Sequence, residues 1–191
     1  MVVGSVVRPR IVDAAIELFG VYGYEGVNMR QLAHAAKTTA GTLYRLFSSK
    51  KEKVYGVAVN EAVNRALKAV AESVFLLLDN PEAEDFLSMI GQALKLWYGA
   101  LGQAEARLLM QVEVADAKFR QSARTPQEKM TNHIAKALRK AVPHKKLDMH
   151  VVAQGVIAAL FQVKISEHAD SGKRQMESLI DQFVLSLSSS E

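Results

Sequence analysis

Apolar positions recur at helical spacing along almost the whole chain. Ile11, Ala14, Ala15, Leu18 and Phe19 fall on one face, with Pro9 expected at the first helical position and Gly20 and Gly23 marking the end. Asn28 is a suitable N-cap, with Gln31 three residues on, before Leu32 and Ala35. Ser49 and Glu52 read as a capping box before a long helix reaching about Leu78. Asn80-Pro81-Glu82 and Thr125-Pro126-Gln127-Glu128 repeat the logic of cap, early proline and first-turn acid, and Pro143 closes the segment that follows. Strand signals are nearly absent: there is no sustained alternation and no Asn-Gly or Asp-Gly hairpin.

The last two segments differ from each other. Val151 to Ile165 is apolar almost all round, broken by Gln154, Gln162 and Lys164, and contains Gly155, Ala158 and Ala159. A helix without a polar face must be buried on more than one side, and small residues admit a second helix closely. Met176, Leu179, Ile180, Phe183, Val184 and Leu187 form a one-sided stripe. This pair either completes a monomer core or builds a homodimer seam; the seam is the favoured reading. The pattern as a whole predicts an all-α chain of about nine helices, three short ones in an N-terminal head and the rest in a larger body.

Charge sharpens this division. The formal net charge of the 191-residue chain is +4. Through Lys53, eight basic residues oppose four acidic ones, and the remainder is neutral. A basic head on a neutral body fits a polyanion partner, most simply nucleic acid, or else a solvated basic face. Cysteine is absent, which excludes disulfides and thiolate chemistry. The longest unbroken apolar run, Gly155 to Phe161, is far shorter than a membrane span, and the N-terminus lacks signal-peptide order. The expectation is a cytoplasmic protein with no membrane partner.

The segment from Met29 to Ser48, MRQLAHAAKTTAGTLYRLFS, carries the functional signal. A short helix capped by Asn28 turns inward through Leu32. After a break at Lys37-Thr38, a second helix capped by Thr39 turns Leu43 and Phe47 inward. Thr42, Tyr44 and Arg45 are left outside. Two short helices joined by a tight turn form helix-turn-helix architecture. Thr39, Ala40 and Gly41 are small enough to bring the second helix close to DNA, and its free N–H groups can receive a phosphate. Thr42 can bond a base edge or touch a thymine methyl, while Tyr44, Arg45 and Lys50 can reach phosphates.

These residues give a specific likeness. Ala14-Ala15, Leu18-Phe19, Gly23-Tyr24, Met29, Leu32-Ala33, Gly41-Thr42-Leu43-Tyr44, Phe47, Ser49-Lys50 and Glu52 resemble the DNA-binding domain of the tetracycline-repressor (TetR) family of transcriptional regulators. The likeness covers Arg10 to Val54. It implies a three-helix DNA-binding domain over residues 1–53, with the motif at about 29–48, and a helical effector-binding and dimerisation domain over 54–191. Carried over by position, it implies that Thr39, Gly41, Thr42, Tyr44 and Arg45 face DNA. Asn28, Arg30, Lys37 and Lys50 would contact its backbone, with Thr38 in the same turn. Lys37 stands where the family commonly has glycine, and a left-handed conformation there costs a non-glycine residue about 1 kcal/mol. Thr38 replaces a usual small apolar residue.

The implied function is a dimeric regulator, most simply a repressor, on a palindromic operator in double-stranded DNA. It would dimerise through the last two helices and be released by a small apolar or aromatic effector. Trp97, Met110, Glu113, His133 and Phe161 are the candidate effector contacts, although aromatic and Met residues at helical spacing also suit a plain core. No Gly-rich phosphate loop, HExxH or Gly-x-Ser-x-Gly occurs, and the five histidines share no ligand spacing, so no enzyme, metal or cofactor is expected. The alternative is a helical ligand-binding or catalytic protein that does not bind DNA. The localised charge counts against it.

Overall fold

The computed structural model describes residues 3–48, 50–79, 86–166 and 169–188. Among the described residues the chain is all-α, with nine helices and no strand. They are α1 (Val3–Tyr22), α2 (Met29–Ala35), α3 (Ala40–Phe47), α4 (Lys51–Asp79), α5 (Phe86–Ala100), α6 (Gln103–Ala115), α7 (Arg120–Ala141), α8 (Met149–Ser166) and α9 (Ala169–Ser188). The proposed caps at Ser49 and at Asn80-Pro81-Glu82 lie outside the described residues.

Two helix starts differ from expectation. Pro9 is the seventh residue of α1 and not its first. Pro126 likewise lies inside α7, which begins at Arg120. A proline so near a helix start removes one backbone donor and bends the helix without ending it. In α7 the chain is already turning upstream: Lys118 N–H donates to Asp116 Oδ1 and Ala123 N–H to Phe119 O, both at 2.9 Å. Pro143 does follow the end of α7 at Ala141.

The chain forms two compact units. The first comprises Met1–Arg65 with Ala104–Arg124, and the second Ala66–Gln103 with Thr125–Glu191. In the first, α1, α2 and α3 pack on one another around Ile11, Ala15, Ile16, Phe19, Leu32 and Leu43. The start of α4 adds Val54, Ala58 and Val59 to this core, and α6 adds Leu108 and Val112. α6 therefore packs with the head, although it follows α5 in sequence. Gly20 makes this possible: a Cβ there would stand 3.1 Å from both Ala104 O and Leu108 N, so only glycine lets α6 lie this close to α1.

In the second unit α5 and α8 both pack on α9 and touch each other. Ile90, Leu94 and Trp97 from α5, Leu160 and Phe161 from α8, and Ile180 from α9 are buried. α8 is also long and apolar enough, at a mean hydropathy of 1.4 over 18 residues, to cross a membrane by length and composition alone. A core helix passes the same test, and α8 buries Met149, Ala153, Val156 and Ile157 within the unit. Its other face is bare: Val151 is 61% exposed and nothing lies within 4 Å of a Cβ built at Gly155. On α9, Leu185 is 64% exposed.

Candidate nucleic-acid interface

The site is built on two short helices fixed by their own caps. The Asn28 side-chain oxygen accepts from Arg30 N and Gln31 N at 3.0 Å, and Gln31 Oε1 accepts from Asn28 N at 2.8 Å. This is the expected capping box, and it satisfies donors that a helix start otherwise leaves open. At the other end of α2, Thr38 N–H donates to Ala33 O and Lys37 N–H to His34 O. These two bonds define a Schellman turn with Lys37 at the left-handed position, φ +50°. The chain therefore holds a lysine in the conformation for which glycine is the usual residue.

α3 starts at Thr39, whose Oγ1 accepts from Thr42 N at 3.2 Å and lies 3.0 Å from Thr42 Oγ1. α3 buries Leu43 and Phe47. Asn28, Arg30, Lys37, Thr39, Gly41, Tyr44, Arg45 and Lys50 are exposed, and Thr38 and Thr42 are half-buried. Tyr44 is 40% exposed, which is unusual for so large a ring on a helix of a packed head. Around Gly41 there is open space: the nearest atom to a Cβ there would be Thr39 Oγ1 at 3.9 Å. The outer face of α3 is thus small at its start and polar or cationic beyond. This combination lets a helix approach a phosphate-lined groove and bond to its rims and floor.

Some of the head's chemistry had no signal in the sequence. Lys51 counts toward the positive charge, yet its Nζ donates to Tyr24 O at 2.9 Å and Val27 O at 3.2 Å and lies 4.1 Å from the Tyr24 ring centroid. It ties α4 to the loop before α2. Ser48 closes α3 in a left-handed conformation, φ +53°. Phe19 stacks with Tyr24, both meet Tyr55 edge-on, and Phe119 extends the cluster edge-on against Tyr55. Burial pushes the Tyr55 hydroxyl up to about 12, with the charge and hydrogen bond of Asp116 adding to it. Tyr24 is raised too, first by burial and then by Glu52, Glu25 and Asp116.

The segment that forms this head, residues 11–52, matches the family of bacterial regulatory proteins named for tetR. Over 43 residues the chain is 51% identical to the HTH-type transcriptional repressor KstR of Rhodococcus jostii and 49% identical to KstR of Mycolicibacterium smegmatis. Residues 11–52 therefore resemble the DNA-binding segment of TetR-family regulators.

These two matches cover 22% of the chain and about a fifth of each relative's length. Solved TetR-family structures share the fold over most of the chain at low identity. A tetR-family regulatory protein from Rhodococcus RHA1 superposes with a TM-score of 0.74 at 14% identity, over 97% of this chain and 98% of the other. The ketosteroid regulator KstR2 of Mycobacterium tuberculosis gives 0.73 at 11% identity, over 96% and 95%. A transcriptional regulator from Saccharomonospora viridis, solved with choline, gives 0.69 at 19% identity, over 95% and 96%.

The five candidate effector contacts fall in different places. Trp97 and Phe161 are buried in the second unit, and His133, on α7, is exposed there. Met110 and Glu113 are half-buried on α6, in the first unit. Glu113 Oε1 accepts from Arg124 Nε at 2.9 Å, and its carbonyl accepts from Arg120 Nε at the same distance. Among the described residues no cluster of metal-binding side chains occurs.

Proposed function

We propose that this chain is a sequence-specific transcriptional regulator, most simply a repressor, that acts on double-stranded DNA in the cytoplasm as a homodimer. The observation that carries the reading is the outer face of α3. Gly41, Thr42, Tyr44 and Arg45 share it, flanked by Lys37 and Lys50, while Leu43 and Phe47 hold the helix to the head. α3 would enter the major groove, with Thr42 against base edges. Arg30, Lys37, Tyr44, Arg45 and Lys50 would hold the phosphates.

The bare faces of α8 and α9 support dimerisation. Val151, Gly155 and Ala158 present a small, apolar surface, and Leu185 stands exposed on α9. Pairing these helices with a second copy would cover apolar area that one chain leaves in water. Two heads in a dimer read a palindrome whose half-sites lie about one helical turn apart.

Effector control is the finer part of the proposal. Trp97 is 1% exposed, and its Nε1 finds no acceptor among the described residues. A buried indole N–H without a partner costs about 1–3 kcal/mol. A mostly apolar effector that brings one acceptor to Trp97 would recover it. The shared fold of the ketosteroid regulator KstR2 makes ketosteroids the first class to screen. An effector shifts DNA binding only as far as it binds the two states unequally.

Fluorescence anisotropy with DNA from upstream of the chain's own gene tests the reading. Affinity is expected to fall steeply with salt, and Tyr44→Ala to weaken specific binding at least tenfold while leaving the helical content unchanged. Salt-independent binding, or a Tyr44→Ala variant with full affinity, overturns it.

A further inference from the structure

The first unit carries a second feature beside α3 that DNA recognition does not account for. Between the end of α3, the first turns of α4 and the turn before α7 lies a groove of about 490 Å³. The groove is open to solvent along much of its length. Four cations line it: Arg8, Lys50, Lys53 and Lys118. Glu52 is the sole acid among its lining residues, and it is occupied by Lys118 Nζ at 3.1 Å. No carboxylate among the described residues pairs with Arg8, Lys50 or Lys53.

One half-buried ring, Phe119, gives the groove an aromatic wall; Phe47 lies beneath its floor, 3% exposed. The Arg8 guanidinium lies over Phe47, 5.7 Å from its centroid, and Lys118 Nζ lies 5.2 Å from the centroid of Phe119. Gly56 packs against this ring: a Cβ there would touch Phe119 Cζ at 3.4 Å. Each ring thus has a cation beside it. A flat, negatively charged molecule matches this arrangement: its ring would lie against Phe119, and its anionic group would meet Arg8, Lys50 and Lys53. A phosphate alone would use the cations and leave the Phe119 ring unused.

We propose that this groove is a binding site for small aromatic anions, separate from any effector site in the second unit. Its occupant would sit on Lys50, which the proposed DNA interface also uses. If that interface is right, occupancy and operator binding would oppose each other. Binding itself does not depend on that reading and is measured without DNA.

The experiment is titration of the full-length, isotope-labelled protein with 1-naphthyl phosphate, followed by amide chemical shifts and calorimetry. Inorganic phosphate and 1-naphthol serve as the two half-ligands. We expect saturable shifts at Gly56, Val57 and Phe119, with each half-ligand at least tenfold weaker. Lys53→Gln should weaken binding about fivefold or more. Gly56→Leu, which fills the groove without altering charge, should abolish it while the amide spectrum elsewhere stays folded. Inorganic phosphate binding as well as 1-naphthyl phosphate would reduce the groove to a phosphate contact and overturn the proposal. Binding of 1-naphthol with equal affinity, or shifts confined to α5 and α8, would overturn it as well.

Discussion

Arg65, in the middle of α4, donates through Nη1 to Glu105 Oε1 in the first turn of α6 at 2.9 Å. The same guanidinium donates through Nε to Glu61 at 2.9 Å and through Nη2 to Asp13 on α1. Burial alone would lower its pKa, but the hydrogen bonds to Asp13, Glu61 and Glu105 outweigh this and raise it. One side chain thus joins three helices of the first unit. The partners are not equal: the Glu105 side chain is 12% exposed, whereas Asp13 is 53% and Glu61 40%. Only Glu105 lacks water enough to replace the guanidinium.

Replacing Arg65 by Met should therefore leave one poorly solvated carboxylate. The expected loss is about 1–2 kcal/mol, below the value for a fully buried pair because Arg65 is itself partly in water. In thermal unfolding this is a fall of roughly 2–8 °C for a chain of this size. Glu105→Gln in the Arg65→Met background should recover most of it, whereas Asp13→Asn should recover little. Equal recovery by both would show that Glu105 has no special place in the cluster.

Lys37 separates folding from recognition. Its left-handed backbone, φ +50°, means that Lys37→Gly should stabilise the protein by up to about 1 kcal/mol. If Lys37 contacts a phosphate, the same change should weaken DNA binding and lower the salt slope by about one unit. Denaturation midpoints and a salt titration on one variant give the two answers. A gain in stability with unchanged DNA affinity would make Lys37 a residue of the turn alone.

How much of this was legible in the sequence follows from the range of each interaction. The caps at Asn28 and Thr39 and the inward pair Leu43 and Phe47 are set by neighbours within a turn or two, and the chain states them directly. The Thr-Leu-Tyr run made the head recognisable for the same reason. The starts of α1 and α7 were misplaced because an early proline permits a helix start but does not require one. The Arg65 cluster and the Lys51 ties to Tyr24 and Val27 join residues 24 to 52 positions apart, and no local pattern announces them. The effector contacts were least legible, since a buried Trp97 reads alike as core and as pocket.

Gly20 and Gly41 look alike in sequence and should behave in opposite ways. A methyl at Gly20 meets the backbone of α6 at 3.1 Å, so Gly20→Ala should cost about 1–3 kcal/mol of stability. Gly41 lies in open space on α3, so Gly41→Ala should stabilise the helix by about 0.5–1 kcal/mol. That methyl would stand where the proposed interface brings DNA closest, and affinity should drop about tenfold, equivalent to ~1.4 kcal/mol. Unfolding curves and anisotropy on both variants check this. A Gly41→Ala protein that binds DNA normally would move the contact face away from the start of α3.

Tyr55 ties stability to alkaline pH. Its hydroxyl titrates at about 12 in the folded chain, against 10.0 when free, because burial disfavours the phenolate and Asp116 repels it. The folded state therefore favours the protonated form. Its contribution is complete below pH 10 and is lost as pH rises from 10 toward 12, where the unfolded chain ionises first. Lysines lose charge over much of the same span, so wild type must be compared with Tyr55→Phe, which keeps the ring against Phe19, Tyr24 and Phe119 but has no proton to release. Urea midpoints from pH 8 to about 11.5 should fall more steeply for wild type than for Tyr55→Phe. At pH 8 the variant should be the weaker of the two, since Asp116 loses its hydroxyl partner. Parallel curves would mean that the Tyr55 hydroxyl is no more shielded in the folded head than in the unfolded chain.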